Sequence, residues 1–244
     1  MFFVFLDIYK KNYKYAEYEH YNFDIYNDIL SMSNEFYIFN DGQLIDNLTE
    51  LVKSVEHSFV LISPYFVPTE VGTQALSNAA KRGVDITIVT NSLASNDVFA
   101  VHGWYAKYRT DLLEAGVKLW EVKASAKLKS KWSLTGSSRA SLHAKAMTID
   151  DKTLFVGSMN WDPRSAALNT EMAVVIEQPE YVQMFLEQLP NQLSNNAYAL
   201  TLRDGDIVWT DIKTGKEYDS EPEAGVWRKM GAWFSGILPI EDQL

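Results

Sequence analysis

Apolar runs of strand length alternate with helical patterns in the middle of the chain, and this alternation restricts the fold more than any other feature of the sequence. The strand-like runs lie at 58–68, 84–92 and 117–123, and the helical segments lie between them at 69–83 and 98–116. Each helical segment ends at a glycine, a residue that commonly terminates helices. Strands that alternate with helices indicate crossover units on a largely parallel sheet. The sequence therefore predicts the α/β class.

Composition excludes several classes of protein. The 244 residues include 32 acidic and 22 basic side chains, a formal net charge of −10, and no cysteine. Without cysteine there is no disulfide framework, thiolate metal site or cysteine nucleophile. The acidic balance argues against nucleic acid as the main partner, because that affinity rests on clustered Lys and Arg. No stretch approaches the roughly 20 apolar residues that span a bilayer, so we expect a soluble or peripherally attached protein inside the cell.

The chain divides into two regions by composition. Residues 1–40 are rich in Tyr and Phe but contain no Gly, Pro or Trp, and their spacing fits a helix or a strand equally well. Residues 41–244 carry the regular pattern and are expected to form the functional domain. An amphipathic stretch near its end, Val226 to Leu238, combines Trp and Phe with Arg and Lys. That stretch is either a packing helix or a helix that lies in a membrane interface.

A basic stretch interrupts the acidic chain between residues 123 and 139. No Asp or Glu occurs between Glu121 and Asp150. The stretch is either a solvated loop or a local positive surface that attracts a phosphate-bearing substrate. Its cationic residues are Lys123, Lys127, Lys129, Lys131 and Arg139.

The sharpest chemical signal is the pattern H-x-K-x4-D-x6-G-S-x-N. It is formed by His143, Lys145, Asp150, Gly157, Ser158 and Asn160. The segment around His143 reads as a strand, followed by a turn at 151–152 and a second strand. Residues two apart in a strand share a face, so His143 and Lys145 can meet one phosphoryl group. Asp150 has the opposite parity and receives a supporting role.

This motif, with the segments SPYFVPTEVG, TNSLASNDVFAVHGWYAKYR, NWDPRSAALNTE and LPIEDQL, resembles the phospholipase D superfamily. The likeness is greatest to the carboxyl-terminal half of bacterial cardiolipin synthases of the C type. It covers roughly residues 45–244, whereas residues 1–40 do not resemble that family. The resemblance implies a mixed, mainly parallel sheet flanked by helices. It also implies a metal-independent reaction without a cofactor.

The resemblance further implies roles for individual residues. His143 would be the nucleophile or the general acid/base of a phosphodiester exchange that passes through a phosphohistidine. Lys145 and Asn160 would hold the non-bridging phosphoryl oxygens, with Ser158 beside them. Glu171 matches the carboxylate that accepts the proton of the histidine's second nitrogen.

The chain departs from this family because it contains a single motif, whereas the reaction needs two histidines. The other histidines lack such a motif; His102 is predicted to be a helix residue with a structural partner. A homodimer could pair His143 with its symmetry mate. Alternatively, the chain is one half of a longer protein whose first motif is supplied elsewhere. The unmatched first 40 residues favour the second explanation.

These observations predict a phosphatidyltransferase that makes cardiolipin from phosphatidylglycerol and another phospholipid. We expect it at the cytoplasmic side of the inner membrane as a peripheral protein. One alternative is a homodimeric phosphodiesterase that acts on nucleic acid, and another is a catalytically inactive fragment.

Overall fold

The structure of the protein is a computed structural model that describes residues 35–39, 52–126, 141–169 and 171–244. Most of the aromatic-rich segment and the basic residues Lys127, Lys129, Lys131 and Arg139 lie outside the described residues. The strands are β1 (Glu35–Phe39), β2 (Ser58–Ile62), β3 (Asp85–Asn91), β4 (Lys118–Val122), β5 (Ala146–Ile149), β6 (Thr153–Gly157), β7 (Glu171–Ile176), β8 (Ala197–Arg203), β9 (Asp206–Asp211) and β10 (Lys216–Tyr218). The helices are α1 (Thr69–Lys81), α2 (Phe99–Tyr105), α3 (Arg109–Glu114), α4 (Pro163–Ala167), α5 (Pro179–Asn196) and α6 (Val226–Ile237), with a 3-10 turn at Glu241–Gln243.

All these strands belong to one sheet, in the order β1-β7-β6-β5-β2-β3-β4-β8-β9-β10. The predicted α/β class with a mixed sheet flanked by helices is confirmed. Parallel pairing is confined, among the described strands, to β2, β3 and β4, and the other pairings are antiparallel. Parallel pairing is therefore less extensive than predicted. Crossover helices join the adjacent strands β2 to β3 and β3 to β4, and α5 connects β7 to the distant β8, whereas short turns such as the one between β5 and β6 require antiparallel neighbours.

Alternating side chains of the central strands supply the core on both faces of the sheet. In β2, Phe59 and Leu61 pack in the core cluster on one face, and Val60 and Ile62 pack in the cluster on the other. Helices α1 and α3 cover the first face, and α5 covers the second. Strands buried on both sides read as continuous apolar runs, which is why the sequence indicated them clearly.

Strand β1 lies within the segment 1–40 and joins the sheet that carries the motif. It pairs antiparallel with β7, with Glu35 opposite Val175 and Phe39 opposite Glu171. Residues 35–39 are therefore part of the same sheet as the motif, although sequence analysis assigned them to the separate segment 1–40. Pairing between strands far apart in sequence leaves no local pattern that could have indicated this.

The helix expected over 98–116 is divided into α2 and α3, with a turn between them at 106–108. The division coincides with Arg109, which turns inward and is 7% exposed. Its guanidinium contacts Glu121 of β4 at 3.0 Å and Glu221 at 2.8 Å. These ion pairs hold the start of α3 against β4. Helix periodicity in the sequence does not indicate such contacts.

Candidate active site

The motif lies at the edge of the sheet where the parallel strands β2, β3 and β4 end. Strand β5 runs antiparallel to β2 and places Ala146 opposite Ile62, the last residue of β2. His143 and Lys145 precede β5 and therefore lie beyond the carboxyl end of β2. Ligands of open α/β sheets bind at this kind of edge.

The structure brings the predicted histidine and lysine together. The backbone N–H of Gly157 donates to the carbonyl of Lys145 at 3.1 Å, so strand pairing continues one residue before β5. The ammonium of Lys145 donates to the carbonyl oxygen of His143 at 3.3 Å. His143 is exposed and Lys145 is half-buried. This arrangement leaves the imidazole accessible beside a fixed cation.

Two buried carboxylates balance the charge of Lys145. Burial lowers the pKa of Lys145, whereas the negative charges of Glu171 and then Asp162 raise it, and burial has the larger effect. Both acids are almost fully buried, at 5% and 6% exposure. Burial also raises the pKa of Asp162, although its hydrogen bond from Ser165 opposes that shift. The two acids therefore favour the charged form of Lys145, which can bind a phosphoryl oxygen.

Glu171 is hydrogen-bonded to Ser158 and Asn169, whereas the resemblance implied His143 as its partner. The hydroxyl of Ser158 donates to one of its carboxylate oxygens, and the amide of Asn169 donates to the other at 3.2 Å. Ser158 follows β6 and Glu171 begins β7, and these strands are antiparallel neighbours with Gly157 opposite Ala173. Among the described residues, the carboxylate of Glu171 therefore bonds to Ser158 and Asn169 rather than to His143.

Asn160 brings unused hydrogen-bonding capacity to the same edge. Its side-chain oxygen is buried and has no hydrogen-bond partner among the residues that the structure describes. Buried polar atoms in native proteins are nearly always paired, so an unpaired one needs an explanation. The missing partner of this oxygen must be a hydrogen-bond donor, such as a substrate hydroxyl, whereas a phosphoryl oxygen can bind only the amide N–H of Asn160.

Asp150, the third motif residue, lies at the opposite end of β5 from Lys145. Its carboxylate accepts the backbone N–H groups of Glu56, His57 and Ser58 at 2.7–3.1 Å. At about 3.3 Å per residue, five residues of extended chain separate the two Cα atoms by roughly 16 Å. The structure therefore does not bring Asp150 to the candidate active site, because four intervening strand residues direct it to the start of β2.

Asn91 is a site residue that the sequence analysis did not single out. It is 1% exposed and ends β3. Its amide oxygen accepts the N–H of Leu142 at 2.9 Å, and its amide nitrogen donates to the Leu142 carbonyl at 3.2 Å. The hydroxyl of Ser95 donates to the same amide oxygen at 3.0 Å. The only sequence signal was an Asn at the end of a buried strand.

The segment that follows Asn160 is anchored to the loop after β2. The Trp161 N–H donates to the hydroxyl of Ser63 at 2.9 Å, and the Val67 N–H donates to the Trp161 carbonyl at 2.7 Å. Asp162 is the N-cap residue of α4, and its carboxylate accepts the N–H of Ser165 at 2.6 Å. These contacts hold Asn160 at a fixed distance from the end of β2.

Lys123 does not contribute to a positive surface. It is 5% exposed, and its ammonium contacts the Asp211 carboxylate at 2.8 Å. The other basic residues of that stretch lie outside the described residues.

The predicted structural partner of His102 is confirmed. Its Nε2 lies 3.1 Å from Glu221, and the indole N–H of Trp209 donates to Glu121 at 2.9 Å. Within the described residues, His102, Glu121 and Glu221 form a group with ligating atoms within 4.8 Å of one another. The Arg109 guanidinium contacts both carboxylates, so the protein itself supplies the cation that this group needs.

The fold and the site together define a phospholipase D-like domain. Nuc from Salmonella typhimurium, a phospholipase D family member, superposes with a TM-score of 0.51 and 21% identity over 66% of this chain and 94% of that chain. Phosphatidylserine synthase from Haemophilus influenzae Rd KW20 superposes with a TM-score of 0.55 and 17% identity over 86% of this chain and 47% of that chain. At these identities the likeness concerns the fold.

Sequence comparison gives the family within this fold. The family described as "Cardiolipin synthase, PLD-like domain" matches residues 48–193, and the chain belongs to it. Cardiolipin synthase C from Escherichia coli K12 is 41% identical over 204 residues, which are 81% of this chain and 43% of that protein. Cardiolipin synthase A from Proteus mirabilis is 34% identical over 139 residues, 57% of this chain and 25% of that protein. The chain thus spans less than half the length of these relatives.

Proposed function

We propose that the chain carries one histidine of a two-histidine phosphatidyltransferase site that forms cardiolipin from phosphatidylglycerol and another phospholipid. The observation that carries this proposal is the accessible His143 beside the half-buried Lys145, with Ser158 and Glu171 fixed on the neighbouring strands. The 41% identity to a cardiolipin synthase supports phospholipid as the substrate class. The catalytic domain includes residues 41–244 and the edge strand β1.

The site residues divide into a nucleophile and groups that bind the phosphoryl oxygens. A ring nitrogen of His143 attacks phosphorus. The ammonium of Lys145 and the amide of Asn160 bind the non-bridging oxygens, where negative charge increases in the transition state. Ser158 stays beside them and holds Glu171, which maintains the positive charge of Lys145. Asp150 acts as a positioning residue, because it joins the turn after β5 to the start of β2.

The reaction balances only with a second histidine. His143 forms a bond to phosphorus of the donor lipid, and the bond from phosphorus to the headgroup oxygen breaks. The leaving alcohol takes a proton from the second histidine. A hydroxyl of the acceptor lipid then gives its proton to that histidine and attacks the phosphohistidine, which releases His143. The second histidine belongs to another motif-bearing domain, which is either a separate polypeptide region or a second copy of this chain.

The membrane is the place where both lipid substrates occur, so we infer peripheral attachment to the cytoplasmic face of the inner membrane. Within the described residues, no helix is long and apolar enough to cross a bilayer. The net charge of −10 disfavours long contacts with a nucleic-acid backbone.

Lipid analysis of cells that lack cardiolipin tests the proposal. The chain is expressed alone and together with a protein that supplies the first motif, and the lipids are identified by mass spectrometry. Cardiolipin should appear in at least one arrangement and should disappear with His143→Asn. The matched control is His57→Asn, which changes an exposed histidine at the other end of β2 and should leave the product unchanged.

Two results would overturn this proposal. One is the absence of cardiolipin from every arrangement in which the protein is folded. The other is hydrolysis of DNA by the wild type, lost with His143→Asn, in place of any lipid exchange. Sedimentation velocity of the active sample identifies whether the second histidine comes from another copy.

A further inference from the structure

The exposed apolar side chains of helix α6 form a continuous face. Its buried residues, Ala232, Ser235 and Gly236, are small and pack against α2. The opposite face carries large apolar residues that are 55–84% exposed, and Trp227 is the most exposed of them. These residues are Val226, Trp227, Met230, Trp233, Phe234 and Ile237. A stable soluble protein rarely leaves such a continuous apolar face in water unless the face binds something.

Close packing fixes the direction of this face. A Cβ on Gly103 of α2 would clash with the carbonyl oxygen of Ala232, so only glycine allows the two helices to approach this closely. The ring of Phe99 lies against Gly231, where a Cβ would be 3.3 Å from its carbons. Phe99 is itself 45% exposed and extends the apolar face onto α2. The helix therefore cannot turn its aromatic side inward without losing this contact.

Helix α6 is attached to the edge of the sheet that carries His143. The side chain of Arg228 donates to the carbonyl of Leu93 at 2.7 Å and to the carbonyl of Asn96. Both carbonyls belong to the loop that follows β3. The same loop begins after Asn91, whose side chain holds the segment in front of His143. The apolar face and the reacting histidine are thus connected through one loop at one edge.

Cations border this face, although the whole chain carries a charge of −10. No acidic residue occurs from Gly225 to Ile240, and α6 contains Arg228 and Lys229. At the neighbouring end of α2, the Lys107 ammonium lies 3.2 Å from the centre of the Trp104 ring. Trp and Phe beside Lys and Arg is the combination that binds at the headgroup level of an anionic membrane.

We propose that the α6 face, extended by Phe99, docks onto an anionic phospholipid bilayer and orients the His143 edge toward it. The docking of α6 does not depend on the proposed function. Only the expectation that the lipid surface faces His143 rests on it. A symmetric contact between two copies is less suitable, because both copies would present the same cations and no acidic residue from 225 to 240 to pair with them. An anionic bilayer complements the same cations.

Vesicle binding by the full chain tests this proposal without any turnover. The His143→Ala protein is mixed with vesicles of phosphatidylglycerol and phosphatidylcholine, and the bound fraction is measured by co-sedimentation. The double variant Trp227→Ser/Trp233→Ser should lower the partition coefficient by on the order of tenfold or more, since two large apolar side chains no longer enter the interface. The matched control, Ile212→Ser, removes an exposed apolar residue from the turn between β9 and β10 and should bind as before.

The charge contribution is measured separately. Lys107→Gln/Lys229→Gln should weaken binding to phosphatidylglycerol vesicles several-fold, with little change on pure phosphatidylcholine. Circular dichroism melting curves verify that the variants are folded, which is expected because the altered side chains are exposed.

The outcomes separate this proposal from the proposed function. Unchanged vesicle binding by the double tryptophan variant would refute docking through α6, whatever the enzyme activity. A change in sedimentation coefficient, with vesicle binding unaffected, would make the face an interface between copies and would also refute it. Vesicle binding that needs α6, without any cardiolipin product, would retain the docking surface and reject the transferase.

Discussion

The side chain of Asn91 binds the backbone of Leu142 in both directions, accepting its N–H and donating to its carbonyl. These two bonds cross between the end of β3 and the segment that leads to His143. A single amide side chain thus makes the two hydrogen bonds that a neighbouring strand would make with Leu142. The position of His143, the proposed nucleophile, therefore depends on a residue far earlier in the chain.

Replacement of Asn91 should reduce catalysis more than stability. In the assembled enzyme, Asn91→Ala is expected to lower kcat at least tenfold, because small displacements of a reacting group are costly. The lost hydrogen bonds should reduce the free energy of unfolding by about 1–3 kcal/mol. Asn91→Asp retains the acceptor and should recover part of kcat. Asn195→Ala, at the exposed end of α5, is the control; equal effects of both alanine variants on kcat would contradict this prediction.

Asp150 should contribute to stability in a pH-dependent way. Burial raises its pKa, but hydrogen bonds from the N–H groups of His57, Ser58 and Glu56 outweigh burial and lower it. A lowered carboxyl pKa gives stability that is present above pH 5 and is lost as the pH falls below about 4. Asp150→Asn should therefore reduce stability at pH 7 by about 1 kcal/mol, since solvent screens this largely exposed carboxylate, and by less at pH 3.

Urea unfolding from pH 3 to pH 8 measures this difference. Asp219→Asn, an exposed acid after β10, should give the same curve as the wild type. A constant difference between Asp150→Asn and the wild type at every pH would contradict the predicted linkage.

Glu171 should control the pH range in which Lys145 is charged. Burial lowers the pKa of Lys145, and the charge of Glu171 opposes that shift. Glu171→Gln removes the opposing charge, so the pKa of Lys145 should fall further. The alkaline limb of kcat/KM should then move to lower pH. Glu180→Gln, in the exposed first turn of α5, should leave the profile unchanged, and an unshifted alkaline limb in Glu171→Gln would exclude this role.

The buried ion pairs around Arg109 should be among the most sensitive positions for stability. Burial raises the pKa of Glu221, but the charges of His102 and Arg109 outweigh burial and lower it to about 2. Arg109→Met would leave Glu121 and Glu221 buried without their cation. We expect a loss of about 3–5 kcal/mol in urea unfolding.

The double variant Arg109→Met/Glu121→Gln provides the control for charge. It removes one uncompensated carboxylate and should recover part of the loss. No recovery would mean that the cost comes from packing of the arginine stem rather than from charge.

Local patterns in the sequence were sufficient to predict the strands that carry the candidate site. Apolar runs predicted β2, β3 and β4, because strands buried on both faces carry a continuous signal. The motif spacing predicted that His143 and Lys145 share a side, because side-chain direction alternates along extended chain. The pattern over residues 226–238 predicted an amphipathic helix but left open whether its apolar face packs against the core or is exposed.

Contacts between distant segments could not be derived in this way. Sequence alone assigned Asp150 to the site and Glu171 to the imidazole, whereas the structure directs Asp150 to the start of β2 and bonds Glu171 to Ser158. It also gave no indication that residues 35–39 pair with β7. Each of these relationships depends on strand order and register.

The sequence by itself therefore determined the α/β class and the family, and it predicted His143 and Lys145 as the nucleophile and its cation. Only the tertiary structure decided which groups surround them. Asn91 and Leu142 become neighbours because β2 lies between β3 and β5 in the sheet. The aromatic face of α6 comes to the same edge because Arg228 binds the loop after β3. Side-chain periodicity is local, whereas the order of strands is set by the packing of the whole core.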